Sequence, residues 1–481
     1  MTRLRRSPAG EAGAHEAGET GAHVAEEGAH RAGWVLSGRR RLLAAVIVLV
    51  LLAGAAVFGY RELYSEGAPD VATAGPGYWV STRGSDAATG TPGKPWRTVQ
   101  HAIGAAPAGS KIFLRKGEYD PFVVSRPNLT IAGAPGERAT IKGKTGVRDV
   151  VLIAATGVTV ADLTVRGCVP KANADVNITG DHGSGIRVHQ VSKVTISGVV
   201  VRDSHGTNAA GLPVGCHGIL LTESRGVHVT GSEVLHNGAG IVVSRGGRGV
   251  LVENNDVHDQ DVIVQNSAAA NDDFGGYGLA ATFITDSPGP TFRNNTVRRN
   301  HGPSTDYKVD GGGIELYDAT GVTITGNTFE TNDGVLETGT GGGGSCANNV
   351  FTGNTATGTG GWAGFDNDTG LVLRCAAGMV ISGNTFTGLS KFTFLLSNDG
   401  DFAGKIDDLQ ITGNTVTRRA GTVVWRLQYE AEQPTGISVD RNTYVTGKDA
   451  FAVVDATWTE TAVTYDVWRT RTGYDASSTV K

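Results

Sequence analysis

GIELYDATGVTITGNTF, residues 313–329, decides the fold. It reads as three short strands, GIEL, VTIT and NTF, parted by turns. Alternation puts Ile314, Leu316, Val322 and Ile324 on one face. Copies return every 20 to 35 residues, beginning at Gly185 (GIRVHQVSKVTISG), Gly218 (GILLTESRGVHVTG), Gly240 (GIVVSRGGRGVLVENN) and Gly370 (GLVLRCAAGMVISGNTF). A single coil cannot bury its apolar face alone. Stacked at about 4.8 Å, successive coils make one continuous core.

An asparagine column supports that register. Asn255, Asn295, Asn327, Asn349, Asn384, Asn414 and Asn442 are read at one place, just before the third strand. Stacked side-chain amides there can bond the coils above and below. Both ends of such a stack need covering. At the front, Thr98 to Ala106 reads as a helix with Val99, Ala102, Ile103 and Ala106 in one apolar stripe. At the back, Trp458, Tyr465, Trp468 and Tyr474 supply bulky surface. The expectation is an all-β, right-handed parallel β-helix over residues 77–481, a solenoid of about eleven coils.

Composition agrees. The 481 residues include 71 glycines without collagen spacing, which implies many turns. The net charge of −5 has no long run of one sign and argues against a nucleic-acid partner, while leaving an anionic substrate open.

The N-terminal region is different. Residues 42–59, LLAAVIVLVLLAGAAVFG, carry no charge and approach the length of a transmembrane helix. Arg39, Arg40 and Arg41 precede them, so the positive-inside bias puts residues 1–41 in the cytoplasm and the solenoid outside the cell. Residues 1–41 are polar, with a loose Gly-Ala-His repeat, and are expected to be a disordered tail; 60–76 is a linker. The competing reading is a cleaved signal, with Ala53 and Ala55 as small residues for a peptidase, but the polar lead is long for one.

The segment YWVSTRGSDAATGTPGKPWRTVQHAIGAAPAGSKIFLRKGEY (78–119) resembles the opening of many bacterial right-handed β-helix proteins, among them polysaccharide lyases and β-helix glycosidases. DVWRTRTGYDASS (466–478) resembles the terminal segment of the same group. The resemblance implies the fold over most of the chain. Its chemistry stays open, because the group includes hydrolases, lyases, epimerases and proteins with no assigned activity. Narrower signatures are absent. There is no Asp-Asp-Gly-Trp-Asp or Asp-Pro-His-Asp run, and Val257-His-Asp-Gln-Asp261 only echoes the latter.

Loop placement is more informative. Long insertions at 166–184, 203–217, 259–277 and 300–312 each follow a third strand, so all leave one corner. Gathered insertions mark a binding face, here a groove along the outer side of the first sheet suited to a linear polysaccharide. Outward positions of that sheet include Arg187, His189, Thr222, Ser244, Thr282, Glu315, Tyr317 and Arg374, with Glu223 and Arg245 at strand ends. The corner loops add Asp272, Asp273, His301, Asp306, Tyr307, Lys308 and Asp310.

Glu315 and Glu337 lie one coil apart, and Asp310 ends the loop leading onto the same strand. Two outward carboxyls about 5 Å apart suit a retaining glycosidase. Aligning Gly334 with Gly313 turns Glu337 inward, and a one-residue shift turns it out. A lyase would instead need a base such as Lys308, Arg187, Arg245 or Arg374, with calcium beside a uronate. Asp366-Asn-Asp368 holds oxygen ligands without a complete calcium loop. The expected catalytic residues are Glu315, Glu337 and Asp310. Tyr317, Lys308, His189, Arg187, Arg245 and Arg374 are expected to bind substrate, with no resident metal and a monomeric protein. A non-catalytic glycan-binding or scaffold protein is the alternative.

The cysteines form no CxxC pair. Cys168 and Cys216 bracket loops of one corner, and Cys346 and Cys375 fall between first and second strands of adjacent coils. Stacking brings equivalent positions within disulfide reach, so the pairs are Cys168–Cys216 and Cys346–Cys375. The N-terminal reading carries its own test. The protein should fractionate with membranes and retain its N-terminus, and N-terminal sequencing that found a mature form starting near residue 56 would replace the anchor with a cleaved signal.

Overall fold

The computed structural model describes residues 77–170, 182–267, 273–341, 344–359, 368–398, 400, 402–428, 434–455 and 462–481. The tail 1–41, the apolar segment 42–59, the linker 60–76, Asp272, Asp366 and Trp458 lie outside them. Among the described residues no helix is long and apolar enough to cross a membrane.

Three sheets of thirteen strands each run the length of the domain. The repeat unit is visible at Gly312–Ala319 (first sheet), Thr323–Thr325 (second) and Thr328–Glu330 (third). Each pairs in parallel with its counterpart one coil away. The stack is therefore longer than eleven coils. Its front coils, built from strands such as Lys111–Leu114 and Thr130–Gly133, bury the same alternate positions without the glycine-led signature that makes later coils easy to count. The last strand of the first sheet, Ala462–Val463, runs antiparallel.

Two glycine positions explain the motif. The first-strand glycines Gly185, Gly218, Gly240, Gly278 and Gly313 face inward against the third strand, and a Cβ on Gly218 would come within 2.5 Å of Val234 Cγ1. Only hydrogen fits there. The glycine of TGN takes a left-handed turn, with φ of 64° at Gly326 and 63° at Gly353, where Asn254 and Asn294 substitute at 56° and 54°. Between these points the apolar residues stack coil on coil, and Ile314, Leu316, Val322 and Ile324 are all buried.

The asparagine that follows the left-handed residue satisfies the turn. Asn327 Oδ1 accepts from both the backbone N–H and the Nδ2 of Asn295, at 2.9 and 3.0 Å. Asn327 Nδ2 lies within hydrogen-bond distance of Phe292 O and Asn354 Oδ1. The ladder runs Asn255, Asn295, Asn327, Asn354, Asn384, Asn414, Asn442. Asn349 is thus misplaced in the sequence reading. It precedes the second strand and bonds Val322 N and Ala319 O, while Asn354 holds the ladder position. Both asparagines flank one short strand, Val350–Thr352, and their spacing alone does not tell them apart. A second, shorter ladder of Asn237, Gln260, Asn300 and Asn332 closes the corner after the third strand.

Both ends are covered. A helix at Val99–Ala105, capped by Thr98, buries Val99, Ala102 and Ile103 over the first coil. A second helix, Tyr465–Thr472, lays Trp468 on Trp425 with ring centroids 5.2 Å apart. Asp475 beneath it accepts from Trp468 Nε1 and Tyr444 Oη. The disulfides are Cys168–Cys216 and Cys346–Cys375, with Cα separations of 6.1 and 5.5 Å.

Asn354→Ala leaves the backbone N–H and Nδ2 of Asn327 without their acceptor inside the core. At about 1–3 kcal/mol per orphaned buried donor, it should cost about 3 kcal/mol, read as a lower denaturant midpoint. A loss below about 0.5 kcal/mol, the size of an ordinary surface change, would remove the ladder from the account of stability.

Candidate active site

The register of the first sheet sets which side chains stand next to one another. One outward column runs Arg187, Leu220, Val242, Ala280, Glu315, Glu337, Val372, with each residue paired to the next. Glu315 and Glu337 are therefore immediate neighbours facing outward. The one-residue shift applies, because Gly334 lies against Gly312 and not Gly313.

The insertions build a wall beside them. Each of three corner loops folds an antiparallel ribbon: His205–Thr207 with Pro213–Gly215, Ile263–Gln265 with Phe274–Gly275, and Gly302–Ser304 with Lys308–Asp310. Asn266 binds the ribbons together, donating to Pro213 O and Pro303 O and accepting from Thr305 Oγ1. Asp273 does the same, accepting from Ser304 Oγ and Thr305 N. Between this wall and the sheet lies a cavity of about 310 Å³. Its sheet side is apolar at one end, through Ala239, Val242 and Ala280 beside Phe274, and acidic at the other, through Glu315, Glu337 and Asp310.

The acidic end is asymmetric. Arg374, one coil beyond Glu337, pairs its guanidinium with Glu337 Oε1. Tyr277 Oη lies 3.3 Å from Glu337 Oε2 and 3.4 Å from Asp310 Oδ1, so its one proton serves either carboxyl. Glu315 is half-buried in the sheet face and enclosed by the cavity walls. Burial, and then the charge of Glu337, push its carboxyl up to about 8. Burial raises Asp310 well above the ordinary carboxylate range, and Glu337 and Glu315 add to it. Two carboxyls in one site thus differ in kind. Glu337 has a counter-charge, and Glu315 keeps its proton at neutral pH.

Of the residues expected to act, Glu315, Glu337, Asp310, Tyr317 and Arg374 line the cavity together. Tyr317 is wedged edge-on between Phe283 and Phe402. Arg374 sits just past its strand and pairs with Glu337. Arg187, His189, Arg245 and Lys308 do not line the cavity. Arg187 is buried four coils before Glu315, lying 4.0 Å from Asp149 and donating to Thr222. His189 lies beside that same threonine. Arg245 covers Phe283, and Lys308 stands exposed on its ribbon at φ 70°. Outward alternation identified these positions but gave no depth, and Arg187 and His189 lie on the strand before the first one that lines the cavity.

Tyr277, His217, Phe274 and Phe402 line the cavity and were not foreseen. His217 is fully buried and pushed down to about 3 by burial, hence neutral. A signal existed for two of them. The residue before each first-strand glycine, His217 before Gly218 and Tyr277 before Gly278, faces the cavity where the ribbon meets the sheet. Phe402 arrives from a turn several coils later and has no such marker.

A family model for the right-handed beta helix region matches residues 150–416 and again 309–456. Uncharacterized protein YwoF of Bacillus subtilis (strain 168) is 24% identical over 251 residues, which span 50% of this chain and 47% of that protein. The chain thus spans about half the length of this curated relative. Among solved structures, XylC in complex with xylose aligns at 12% identity and TM-score 0.49, over 84% of this chain and 86% of that one. The GH136 lacto-N-biosidase of Eubacterium ramulus aligns at 14% and 0.49, over 75% and 67%. DFA-IIIase of Arthrobacter chlorophenolicus A6 without its lid aligns at 13% and 0.46, over 79% and 92%.

The raised carboxyls have a measurable signature. A folded state that holds a proton on Glu315 up to about 8 has stability that is full below the ordinary carboxyl value of 4.5 and is lost as pH rises through that window. Asp310 acts in the same direction. Glu315→Gln cannot ionise, so thermal unfolding between about pH 5 and 8 should fall less steeply with pH than in the wild type. Equal slopes would show that Glu315 titrates as an ordinary carboxyl.

Proposed function

The chain belongs to the right-handed beta helix family, and on that scaffold we propose that the Glu315–Glu337 cavity is the active site of a carbohydrate hydrolase working outside the cytoplasm. One observation carries the reading: two adjacent carboxyls in unlike surroundings, Glu315 enclosed and pushed up to about 8, and Glu337 paired with the guanidinium of Arg374. Glycoside hydrolysis requires this division, a proton donor beside a carboxylate. Glu315 donates its proton to the leaving oxygen. Glu337, steadied by Arg374 and Tyr277, attacks the anomeric carbon. Adjacent strands are about 4.8 Å apart, close to the ~5–5.5 Å separation of retaining enzymes. Glu315, once ionised, then activates the water that releases the sugar.

The lining favours a hydrolase over a lyase. A lyase abstracts a proton beside a uronate carboxylate and needs cations to hold it. This cavity presents Asp273, Asp310, Glu315, Asp333 and Glu337, and its arginine is engaged with Glu337. Such a surface repels a uronate and accepts a neutral sugar. A volume of about 310 Å³ stands at the small end of ligand pockets, so the linear polysaccharide enters by its end. Tyr307 at the mouth and Phe274 and Tyr317 within offer faces for sugar rings.

The two disulfides suit an oxidising compartment. On this reading residues 42–59 anchor the enzyme in the membrane, residues 1–41 stay inside the cell, 60–76 act as a tether, and the domain 77–481 works as a monomer.

A panel of neutral and uronate-containing polysaccharides, with reducing ends and unsaturated products read separately, tests the proposal. Reducing ends from a neutral glycan are expected, with activity falling above about pH 8 as Glu315 ionises. Glu315→Gln should lower kcat by about 10²–10⁴-fold, and Glu337→Gln by at least as much. Near-normal turnover in Glu315→Gln, or unsaturated products from a uronate, would overturn the hydrolase reading. Absence of turnover across the panel would favour a glycan-binding protein.

A further inference from the structure

Two clusters of histidine and carboxylate lie outside the cavity among the described residues. We propose that one of them, His205, His236 and Asp261, is a binding site for a divalent transition-metal ion of the zinc class.

The register builds the site. Arg202, Leu235 and His258 are paired ends of successive third strands. His205 and Asp261 therefore hold the same place, three residues beyond those ends, two coils apart. The coil between them has Gly238 there, which puts no side chain in the gap. His236, two residues earlier at a left-handed φ of 50°, fills it. His205 Nε2 lies 2.8 Å from Asp261 Oδ1, and His236 Nδ1 lies 2.9 Å from Oδ2. All three ligand atoms fall within 4.8 Å of one another.

In tetrahedral zinc, with bonds of about 2.0–2.1 Å, neighbouring ligand atoms stand about 3.3 Å apart. The two His–Asp contacts need to open by only about 0.5 Å for the ion to replace the shared protons. The side chains of His205, His236 and Asp261 are 44, 40 and 34% exposed, which leaves a route for the ion and a side for a water as fourth ligand. Nearby Arg202 and Arg299 are each engaged with other carboxylates, Asp203 and Asp259.

The second cluster, Glu233, Asp256 and His258, is the internal comparison. There Arg298 donates to both oxygens of Asp256, at 3.0 and 2.7 Å, so a guanidinium already occupies the place a metal would take. In the first cluster both carboxyl oxygens of Asp261 face histidines, His205 and His236.

Binding would matter to the cavity. His205 opens one corner ribbon. Asp261 stands two residues before the ribbon whose far strand, Phe274–Gly275, lines the cavity. An ion held by three successive coils fastens that wall to the stack.

The test uses the full chain with His15→Ala, His23→Ala and His30→Ala, which removes the histidines of the N-terminal repeat, stripped with chelator and titrated with Zn²⁺ by calorimetry. One equivalent should bind, and Zn²⁺ should raise the unfolding temperature. Asp261→Asn should weaken binding at least about tenfold and abolish the thermal shift. Asp256→Asn should change neither. If Asp261→Asn does not fold, His205→Gln, on a half-exposed side chain, makes the same comparison. No binding by the parent, or binding indifferent to both substitutions, would overturn the site.

Discussion

The turns from Asn255 to Asn414 bury backbone amides, and the acceptor for each is supplied by the asparagine of the next coil. Asn295 gives both its N–H groups to Asn327, which gives its own to Asn354. Such an arrangement is satisfied only when coils sit in one register at one spacing, because a buried donor without an acceptor costs about 1–3 kcal/mol. The ladder therefore does more than close a corner. It removes the freedom of one coil to slide or tilt against its neighbour, and so fixes which outward side chains must share space.

The electrostatics of the cavity follow from that restraint. Glu315 and Glu337 are paired in the sheet and have no backbone freedom with which to part. Burial and then the charge of Glu337 raise Glu315, while Arg374 pairs with Glu337. Tyr277 joins Glu337 to Asp310 at the ribbon, so wall and sheet are coupled through one hydroxyl. The ribbons withhold water from this end, and burial is the first cause of the raised values at Glu315 and Asp310. Scaffold and chemistry are one system here, since loosening the stack would relax the very contact that sets the proton.

Much of this was legible in the residues. The three-strand repeat, the outward Glu315, the common corner of the insertions and both cystine pairs follow from periodicity, because a solenoid converts spacing along the chain directly into neighbours in space, whereas strict alignment of Gly334 with Gly313 would have turned Glu337 inward. What periodicity does not encode was missed. It does not distinguish Asn349 from Asn354, two turn asparagines at the two ends of one strand. It says which residues face outward without saying how far the walls extend, so Arg187 and His189 were grouped with a cavity that begins further along. It gives no account of coils that bury the right positions with the wrong letters, which is why the front of the stack was undercounted. Phe402 reaches Tyr317 from a long turn, and such contacts carry no repeat at all.

The corner ribbons have a consequence for how such a protein can change over time. An antiparallel pair such as Gly302–Ser304 with Lys308–Asp310 satisfies its own backbone hydrogen bonds, while Pro303, Ser304 and Thr305 tie it to the neighbouring ribbon through Asn266 and Asp273. One ribbon can therefore lengthen, shorten or exchange its tip while the coil beneath keeps its shape. Its tip can vary at little cost to the core, whereas the residues that meet Asn266 and Asp273 are constrained to change together with the ribbon beside them.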